Sequence, residues 1–195
     1  MIYTEPVSKN KIYYTKKVFD PRYSASDTIV IADKVISESG GKCNRIIDVA
    51  CGSGNLGLAI KKLHPEVSVM LTDIDPEAVR IAERNAHKLG LGVVILEHDL
   101  LLGLNNYDMV IANLPTYDEE QLKDELHGPR VAYYGGGLDM YERLFSQFRG
   151  RVLVAECQER HQEAFLKLAD KKRFDLVLRN DRSFAFVPRA NLLLY

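Results

Sequence analysis

The stretch Asp48-Val49-Ala50-Cys51-Gly52-Ser53-Gly54 decides how this chain folds. An apolar pair, Ile46-Ile47, precedes it, and an amphipathic run from Leu56 to Leu63 follows it. A second apolar run then ends in Asp73. The order strand, glycine turn, helix, strand and acid is typical of a nucleotide-type site at the carboxyl edge of a parallel sheet. The stretch therefore predicts a site for a ligand that contains a ribose.

Outward from this stretch, strand-like and helix-like runs alternate along the chain. The link at residues 180–182 is too short for a crossover, so the two strands that it joins should pair antiparallel. We therefore predict an α/β fold, a single doubly wound, Rossmann-like, seven-stranded sheet with a reversed, antiparallel last strand. Residues 1–26 are expected to form an N-terminal arm or lid, and residues 27–195 the main domain. The predicted strands span residues 45–49, 67–72, 93–97, 107–112, 152–156, 174–179 and 183–188, and the predicted helices span residues 27–37, 55–63, 76–89, 139–149 and 160–171.

The composition argues against several classes of protein. The formal net charge of the 195-residue chain is −1, which disfavours a broad nucleic-acid surface. The three cysteines fit no disulfide framework and no zinc spacing, so we expect a cytoplasmic protein. No apolar run is long enough to cross a membrane. No metal site is predicted, because the histidines show no ligand spacing and are scattered at His64, His87, His98, His127 and His161.

The glycines of the turn are compatible with two kinds of cofactor. The pattern Gly52-x-Gly54-x-x-Gly57 matches the dinucleotide fingerprint, which indicates an NAD site. Asp48 opposes this reading, because a carboxylate beside the turn would face the pyrophosphate at a high electrostatic cost. The same carboxylate favours a ligand with positive charge. S-adenosyl-L-methionine carries a sulfonium and an ammonium, so we predict it as the cofactor.

The predicted cofactor-binding residues follow successive strands. Asp73 can accept hydrogen bonds from both ribose hydroxyls, and Asp99 can accept one from the adenine amino group. Gly52 and Gly54 let the backbone approach the ligand where a Cβ would block it. The alternative is that the glycines only form a tight turn and that the acids are loop or cap residues. The full predicted set is Asp48, Ala50, Gly52, Gly54, Asp73, Ile74, Asp99, Leu100 and Asn113.

A polar residue also ends the fourth predicted strand, at Asn113, and Leu114 and Pro115 follow it. The Asn113 side-chain oxygen and the Leu114 carbonyl could accept the two N–H bonds of a planar amide or amino nitrogen and orient its lone pair toward a methyl group. We predict Asn113, Leu114 and Pro115 as catalytic, and Thr116, Tyr117 and Arg22 as substrate-binding. The alternative is an ordinary turn in which Asn and Pro have their usual roles.

These blocks resemble those of class I S-adenosylmethionine-dependent methyltransferases, and within that class the HemK/PrmC-type protein-glutamine N5-methyltransferases. The residues at 47–54 resemble the family's cofactor loop, those at 72–79 its ribose block, and those at 136–141 its glycine-rich turn. The segment 18–22 resembles the one before the first family helix. Two positions depart from the family. Ala50 replaces the usual first glycine, and 113–116 reads Asn-Leu-Pro-Thr where the family carries Asn-Pro-Pro-Tyr.

The resemblance implies an enzyme that methylates a glutamine side chain of a protein, such as a translation release factor. It also implies a possible small zinc-binding activator protein as a partner. Two alternatives stay open. One is an N-methyltransferase of an exocyclic amine in rRNA or tRNA, since that nitrogen is also planar. The other is a module that binds S-adenosylmethionine with reduced or lost catalysis, because Thr116 removes an aromatic ring from the acceptor motif.

Overall fold

The structure is a computed structural model that describes residues 1–23, 26–123 and 129–194, so His127 lies outside the described residues. The strands are β1 (Ile2–Thr4), β2 (Lys11–Tyr13), β3 (Arg45–Val49), β4 (Ser68–Asp73), β5 (Val94–Glu97), β6 (Met109–Ala112), β7 (Val152–Glu156), β8 (Phe174–Asn180) and β9 (Ser183–Pro188). The helices are α1 (Ser26–Glu38), α2 (Asn55–Leu63), α3 (Pro76–Leu89), α4 (Asp139–Gln147) and α5 (Gln162–Lys171). Short 3₁₀ turns connect several of them.

Seven strands form one sheet in the order β5-β4-β3-β6-β7-β9-β8. The first five strands of this order run parallel, and β9 lies antiparallel between β7 and β8. The predicted fold class is therefore confirmed, including the reversed last strand. The strand order changes direction between β3 and β6, and parallel strands place their carboxyl ends at the same edge there.

Each face of the sheet carries its own apolar core. Because side chains alternate along a strand, Ile46 packs on the face covered by α1, α2 and α3, and Ile47 packs on the face covered by α4 and α5. Both layers are buried, and β6 and β7 contain only buried residues. This pattern is typical of a parallel sheet with helices on both faces.

Local sequence signals explain where α3 begins and ends. The Asp75 side chain accepts a hydrogen bond from the Glu77 N–H at 2.9 Å, and Pro76 occupies the first helical position. Gly90 ends the helix in the left-handed region, with φ +64°. The predicted bounds of β3, α2, α3 and β9 agree with the structure, whereas α4 is two residues shorter than predicted and α5 begins two residues later.

The first 13 residues contain secondary structure that the sequence reading did not predict. The strands β1 and β2 pair antiparallel, with Ile2 opposite Tyr13. Ile12, Tyr14 and Val18 are buried, and Tyr14 and Val18 pack against Ala78 and Ile81 of α3. The region expected to be an arm or lid thus contains a hairpin that packs on the main domain. Within the described residues, no helix is both long and apolar enough to span a membrane.

Candidate active site at the carboxyl edge of the sheet

A cavity of about 890 Å³ opens where the carboxyl ends of β3, β4, β6 and β7 meet. This volume lies in the usual range for ligand pockets, roughly 300–1,000 Å³. Residues that follow four different strands contribute to the wall, as does the segment after the N-terminal hairpin. Most of the predicted site residues line it, namely Arg22, Asp48, Ala50, Gly52, Asp73, Ile74, Asn113, Leu114, Pro115, Thr116 and Tyr117.

The turn after β3 has a backbone conformation that favours glycine. Gly52 has φ +56° and Gly54 has φ +81°. A Cβ at Gly52 would meet no protein atom within 4 Å, so the space beside this backbone is open. Ala50 adopts φ +52° with a side chain present, in the left-handed region that favours glycine.

Asp73 holds this turn in place. Its Oδ2 accepts a hydrogen bond from the Gly52 N–H at 2.8 Å, and its Oδ1 accepts one from the Asp75 N–H at 3.0 Å. The side chain is nearly buried at the cavity wall, and burial raises its pKa while the two backbone bonds oppose that shift. Each carboxylate oxygen retains a second lone pair, so Asp73 can accept further bonds from a ligand. Ile74, the next residue, is 56% exposed.

Asp48 lies deeper in the wall than the sequence suggested. Its Oδ2 accepts a hydrogen bond from the Gly57 N–H of α2 at 2.7 Å, and only 1% of the residue is exposed. The pKa of Asp48 is raised to about 7, chiefly because the side chain is buried; the Gly57 bond opposes the shift, and the nearby Asp73 adds to it. A Cβ at Gly57 would lie 2.9 Å from Asp48 Oδ2, so the third glycine of the pattern permits close packing of the helix on the strand.

Among the described residues that line the cavity, Gly54, Asp99 and Leu100 are absent. A Cβ at Gly54 would lie 3.0 Å from the Leu58 and Leu71 side chains, so this glycine permits packing on the core, whereas the sequence led us to expect approach to a ligand. Asp99 Oδ2 accepts a hydrogen bond from Arg143 Nη2 at 2.6 Å. Leu100 is buried in the core beneath α4, with φ +47°. Asp99 was expected at the cavity because it follows a parallel strand, and that expectation took no account of the ion pair with Arg143 of α4. Contact of any of these three residues with a cofactor stays a prediction.

The residues after β6 are fixed by a buried tyrosine. The Leu114 N–H donates to Tyr141 Oη at 3.1 Å, and the Tyr141 hydroxyl donates to the Glu156 carbonyl. Tyr141 is fully buried on α4. Its hydroxyl therefore connects the carboxyl ends of β6 and β7 and holds the Leu114 peptide at the cavity wall.

Thr116 and Tyr117 lie farther along the same wall. Thr116 is 2% exposed, and its Oγ1 makes no hydrogen bond with any described residue. The Tyr117 ring packs edge-on against Tyr133 at a centroid distance of 5.5 Å, and the Arg160 guanidinium lies 4.9 Å from the Tyr117 centroid. The aromatic ring that Thr116 lacks is thus present one residue later, as part of a cation–π contact.

Arg22 reaches the cavity from the N-terminal segment. Its Nη2 pairs with Asp20 Oδ2 at 2.6 Å, and its Nε lies 3.0 Å from both Asp20 oxygens. This two-pronged pairing fixes the guanidinium in a defined orientation.

The residues near β7 and β9 that form another part of the wall were not predicted from the sequence. Glu156 ends β7, Gln158, Glu159 and Arg160 follow it, and Arg182 precedes β9. Arg182 Nη2 lies 3.3 Å from Glu156 Oε1. The rule that selected Asp73 and Asn113 would have found Glu156 as well, because β7 is a parallel strand that ends at the same edge.

Comparison with known proteins gives a family match. The model of the family described as methyltransferase small domain matches residues 24–128. The release factor glutamine methyltransferase of Deinococcus radiodurans is 37% identical over 110 residues, which are 53% of this chain and 40% of that protein. The protein of the same name from Chlamydia trachomatis serovar D is 32% identical over 155 residues, or 74% of this chain and 52% of that protein. The chain thus spans about half the length, or less, of these relatives.

A solved structure has the same fold. The 16S rRNA N2 G1207 methyltransferase of T. thermophilus, in complex with AdoMet and guanosine, superposes with a TM-score of 0.64. The match covers 95% of this chain and 48% of that one, at 14% sequence identity.

Proposed function

The chain belongs to the methyltransferase small domain family, and from this premise we propose that it transfers the methyl group of S-adenosyl-L-methionine to the side-chain amide nitrogen of a glutamine in a protein. The observation that carries the proposal is that one cavity is lined both by Asp73 with the Gly52 turn and by Asn113 with Leu114. A translation release factor is the proposed acceptor, because two relatives are named release factor glutamine methyltransferases.

The residues present fit the donor. The Asp73 carboxylate lies at the wall with lone pairs available for ribose hydroxyls. The open space beside Gly52 allows a ligand to approach the backbone. The buried Asp48 carboxylate gains from a positive charge nearby, because a cation would favour its charged form and offset the cost of burial.

The acceptor end fits a planar nitrogen. The Asn113 side-chain oxygen and the Leu114 carbonyl would accept the two N–H bonds of a glutamine amide, and the Tyr141 bond holds the Asn113–Leu114 peptide that joins the two residues in one orientation. The Tyr117–Arg160 pair would supply the flat surface against which the amide lies. The exposed Arg22 side chain would contact the acceptor chain, and the buried Thr116 would contact it from within the cavity wall.

S-adenosyl-L-methionine, when bound, supplies a methyl group on a sulfonium, and its transfer breaks the S–C bond, leaves the electron pair on sulfur and forms an N–C bond. The protein's task is to hold the amide nitrogen with its lone pair aligned while that nitrogen loses one proton to solvent. Hydrogen bonds from the amide to Asn113 and Leu114 favour the departure from planarity, because they gain strength as positive charge develops on the nitrogen.

Labelling identifies the acceptor. The chain is incubated with methyl-labelled S-adenosyl-L-methionine and either a release factor or total RNA from the same organism, and the products are digested and analysed by mass spectrometry. We expect label on a glutamine, and at least 100-fold less label with Asn113→Ala. Labelled RNA with unlabelled protein would support the exocyclic-amine alternative and contradict the proposal. Binding of the donor with no product in any fraction would indicate a module without turnover.

The small zinc-binding activator stays a prediction. If the chain alone labels its acceptor at a rate that does not increase when a lysate is added, no activator is needed.

A further inference from the structure

A single buried side chain joins the N-terminal hairpin to the turn that follows β3. Asn85, in the middle of α3, is fully buried. Its Oδ1 accepts a hydrogen bond from the Tyr13 N–H at 2.9 Å. Its Nδ2 donates to the Tyr13 carbonyl at 2.8 Å and to the Ser53 carbonyl at 2.9 Å. One amide thus makes three hydrogen bonds to two segments that are distant in sequence.

The chemistry of an amide explains why Asn is at this position. An Asn side chain carries the donors and the acceptor of a peptide group, so it pairs with both backbone groups of Tyr13 as a neighbouring strand would. It has a second N–H to spare, which reaches Ser53. Asn is a poor helix former, so the helix itself gives no reason for its presence in the interior of α3. An apolar residue of the same size would leave all three backbone groups without these bonds.

Both segments that Asn85 joins belong to the cavity. Ser53 lies in the turn between Gly52 and Gly54 and lines the cavity wall. Tyr13 ends β2, and the chain that follows it supplies Val18, Phe19 and Arg22 to the lining of the same cavity. The bonds from Asn85 therefore hold the turn at Ser53 in a fixed position relative to the hairpin whose following segment also lines the cavity.

We propose that Asn85 is a positioning residue for the donor site, and that it links docking of the hairpin β1–β2 to binding of S-adenosyl-L-methionine through Ser53. This inference rests on the proposed function, because it assumes that the turn holds the donor. When the donor fixes the turn, Ser53 retains Asn85 in its bonded orientation, and the hairpin opens less often. Conversely, loss of the amide leaves the turn less ordered before the donor binds, and binding then has to order it.

The test measures binding of S-adenosylhomocysteine by calorimetry to the full chain and to three variants. Asn85→Leu removes all three bonds. Arg84→Ala is the matched control. Arg84 precedes Asn85 on α3, and its guanidinium lies 3.7 Å from the Tyr13 ring centroid, but it has no bond to Ser53. Val35→Ala creates a cavity in the core on α1 and provides a destabilised protein with an intact Asn85. We expect Asn85→Leu to weaken binding at least tenfold and the two controls to change it less than twofold, at a temperature where all variants are folded.

Hydrogen exchange distinguishes the proposed linkage from a purely structural role of Asn85. In the unmodified chain, S-adenosylhomocysteine should slow exchange of the Tyr13 amide, and in Asn85→Leu this ligand-induced protection of the hairpin should disappear. If Asn85→Leu does not fold, Asn85→Asp takes its place, since it keeps the acceptor for Tyr13 and loses both N–H donors.

The two proposals fail in different ways. If the unmodified chain does not bind S-adenosylhomocysteine, the proposed function is overturned, and the linkage falls with it. If the chain binds it and Asn85→Leu binds equally well with unchanged protection of the hairpin, only the role of Asn85 is overturned.

Discussion

Burial of Asp48 lowers the stability of the folded chain by an amount that depends on pH. Its pKa rises from 3.8 to about 7 because it is buried, so the folded state retains the proton up to about pH 7 whereas the unfolded state loses it near pH 4. The folded state binds more protons in this window, so the free energy of unfolding falls as the pH rises from about 4 to about 7 and stays lower above it. Each unit of this shift corresponds to about 1.4 kcal/mol.

Asp48→Asn should remove this dependence. The amide oxygen still accepts the Gly57 N–H, and no charge is buried, so we expect the stability of the variant relative to the unmodified chain to rise by about 4 kcal/mol between pH 4 and pH 8. Urea unfolding at several pH values measures this difference. At pH 8 the variant should also bind S-adenosyl-L-methionine about tenfold more weakly, because the attraction to its positive charge is lost. Parallel stability curves for the two proteins would contradict the role given to burial.

Tyr141→Phe tests the residue that holds the acceptor loop. The change keeps the ring, which packs 4.7 Å from that of Phe165, and removes only the hydroxyl between Leu114 and Glu156. We expect a loss of about 1–3 kcal/mol in stability and a slower turnover with unchanged donor affinity, because the Leu114 peptide loses its fixed partner. Tyr107→Phe is the control, since its buried hydroxyl accepts the Arg149 N–H at 2.7 Å. Equal turnover in both variants would remove Tyr141 from the acceptor site.

The contrast between Asp73 and Asp99 shows which site residues a sequence can reveal. Asp73 ends the parallel strand β4 and Asp99 follows the parallel strand β5, and residues at these positions lie near one edge of the sheet. Asp73 lines the cavity, whereas Asp99 pairs with Arg143 of α4. The pairing depends on how α4 crosses the sheet, 40 residues later in the chain, and no local pattern contains that information. No local pattern indicates the role of Asn85 either, because its partners, Tyr13 and Ser53, are distant in sequence.

At the scale of elements, the glycine-rich turn before α4 supports the acceptor loop directly. The Gly135 N–H donates to the Tyr117 carbonyl at 3.0 Å, and the Tyr117 N–H donates to the Tyr133 carbonyl at 2.9 Å. A Cβ at Gly135 would lie 1.8 Å from the Pro115 carbonyl oxygen. Two backbone segments therefore approach so closely that only glycine fits between them.

Gly135→Ala should displace the acceptor loop. Backbone atoms cannot yield as a flexible side chain can, so we expect a loss of about 2–3 kcal/mol in stability and at least 100-fold in turnover. Gly92→Ala is the matched control, because a Cβ there would meet nothing within 4 Å. Unfolding curves and labelling rates of both variants provide the measurement. A Gly135→Ala variant with normal turnover would show that the contact with Pro115 is not needed for catalysis.

The hairpin β1–β2 is the element that the sequence patterns did not predict. The main helices and strands were predictable because α3 has a cap, a proline and an apolar stripe, and because β9 is a long apolar run. The strands β1 and β2 have three residues each, which is too short for an alternating pattern to stand out. Their stability comes from packing on α3 and from buried polar groups such as Glu5, whose carboxylate accepts hydrogen bonds from the Val7 N–H and the Ser8 hydroxyl.

At the scale of the whole molecule, one sheet separates two apolar cores, and every central strand contributes to both. In β7, for example, Leu153 faces one core and Val154 the other. A strand cannot lose its packing on one face without loosening the other, so the two cores should unfold together. The cavity lies at the edge of this shared sheet, which makes its geometry depend on both.

Phe165→Ala tests this coupling. Phe165 is fully buried on α5, with ring centroids 4.7 Å from Tyr141, 5.6 Å from Phe184 and 5.4 Å from Phe186. Truncation leaves a cavity in the core beneath α4 and α5, and we expect a loss of about 3–5 kcal/mol in the free energy of unfolding. If the cores are coupled, unfolding followed by far-ultraviolet circular dichroism and by tyrosine fluorescence should still give one coincident transition. Two separate transitions would mean that the face covered by α1, α2 and α3 can stay folded alone. Binding of S-adenosylhomocysteine should then survive the first transition, because the turn after β3 and Asn85 belong to that face.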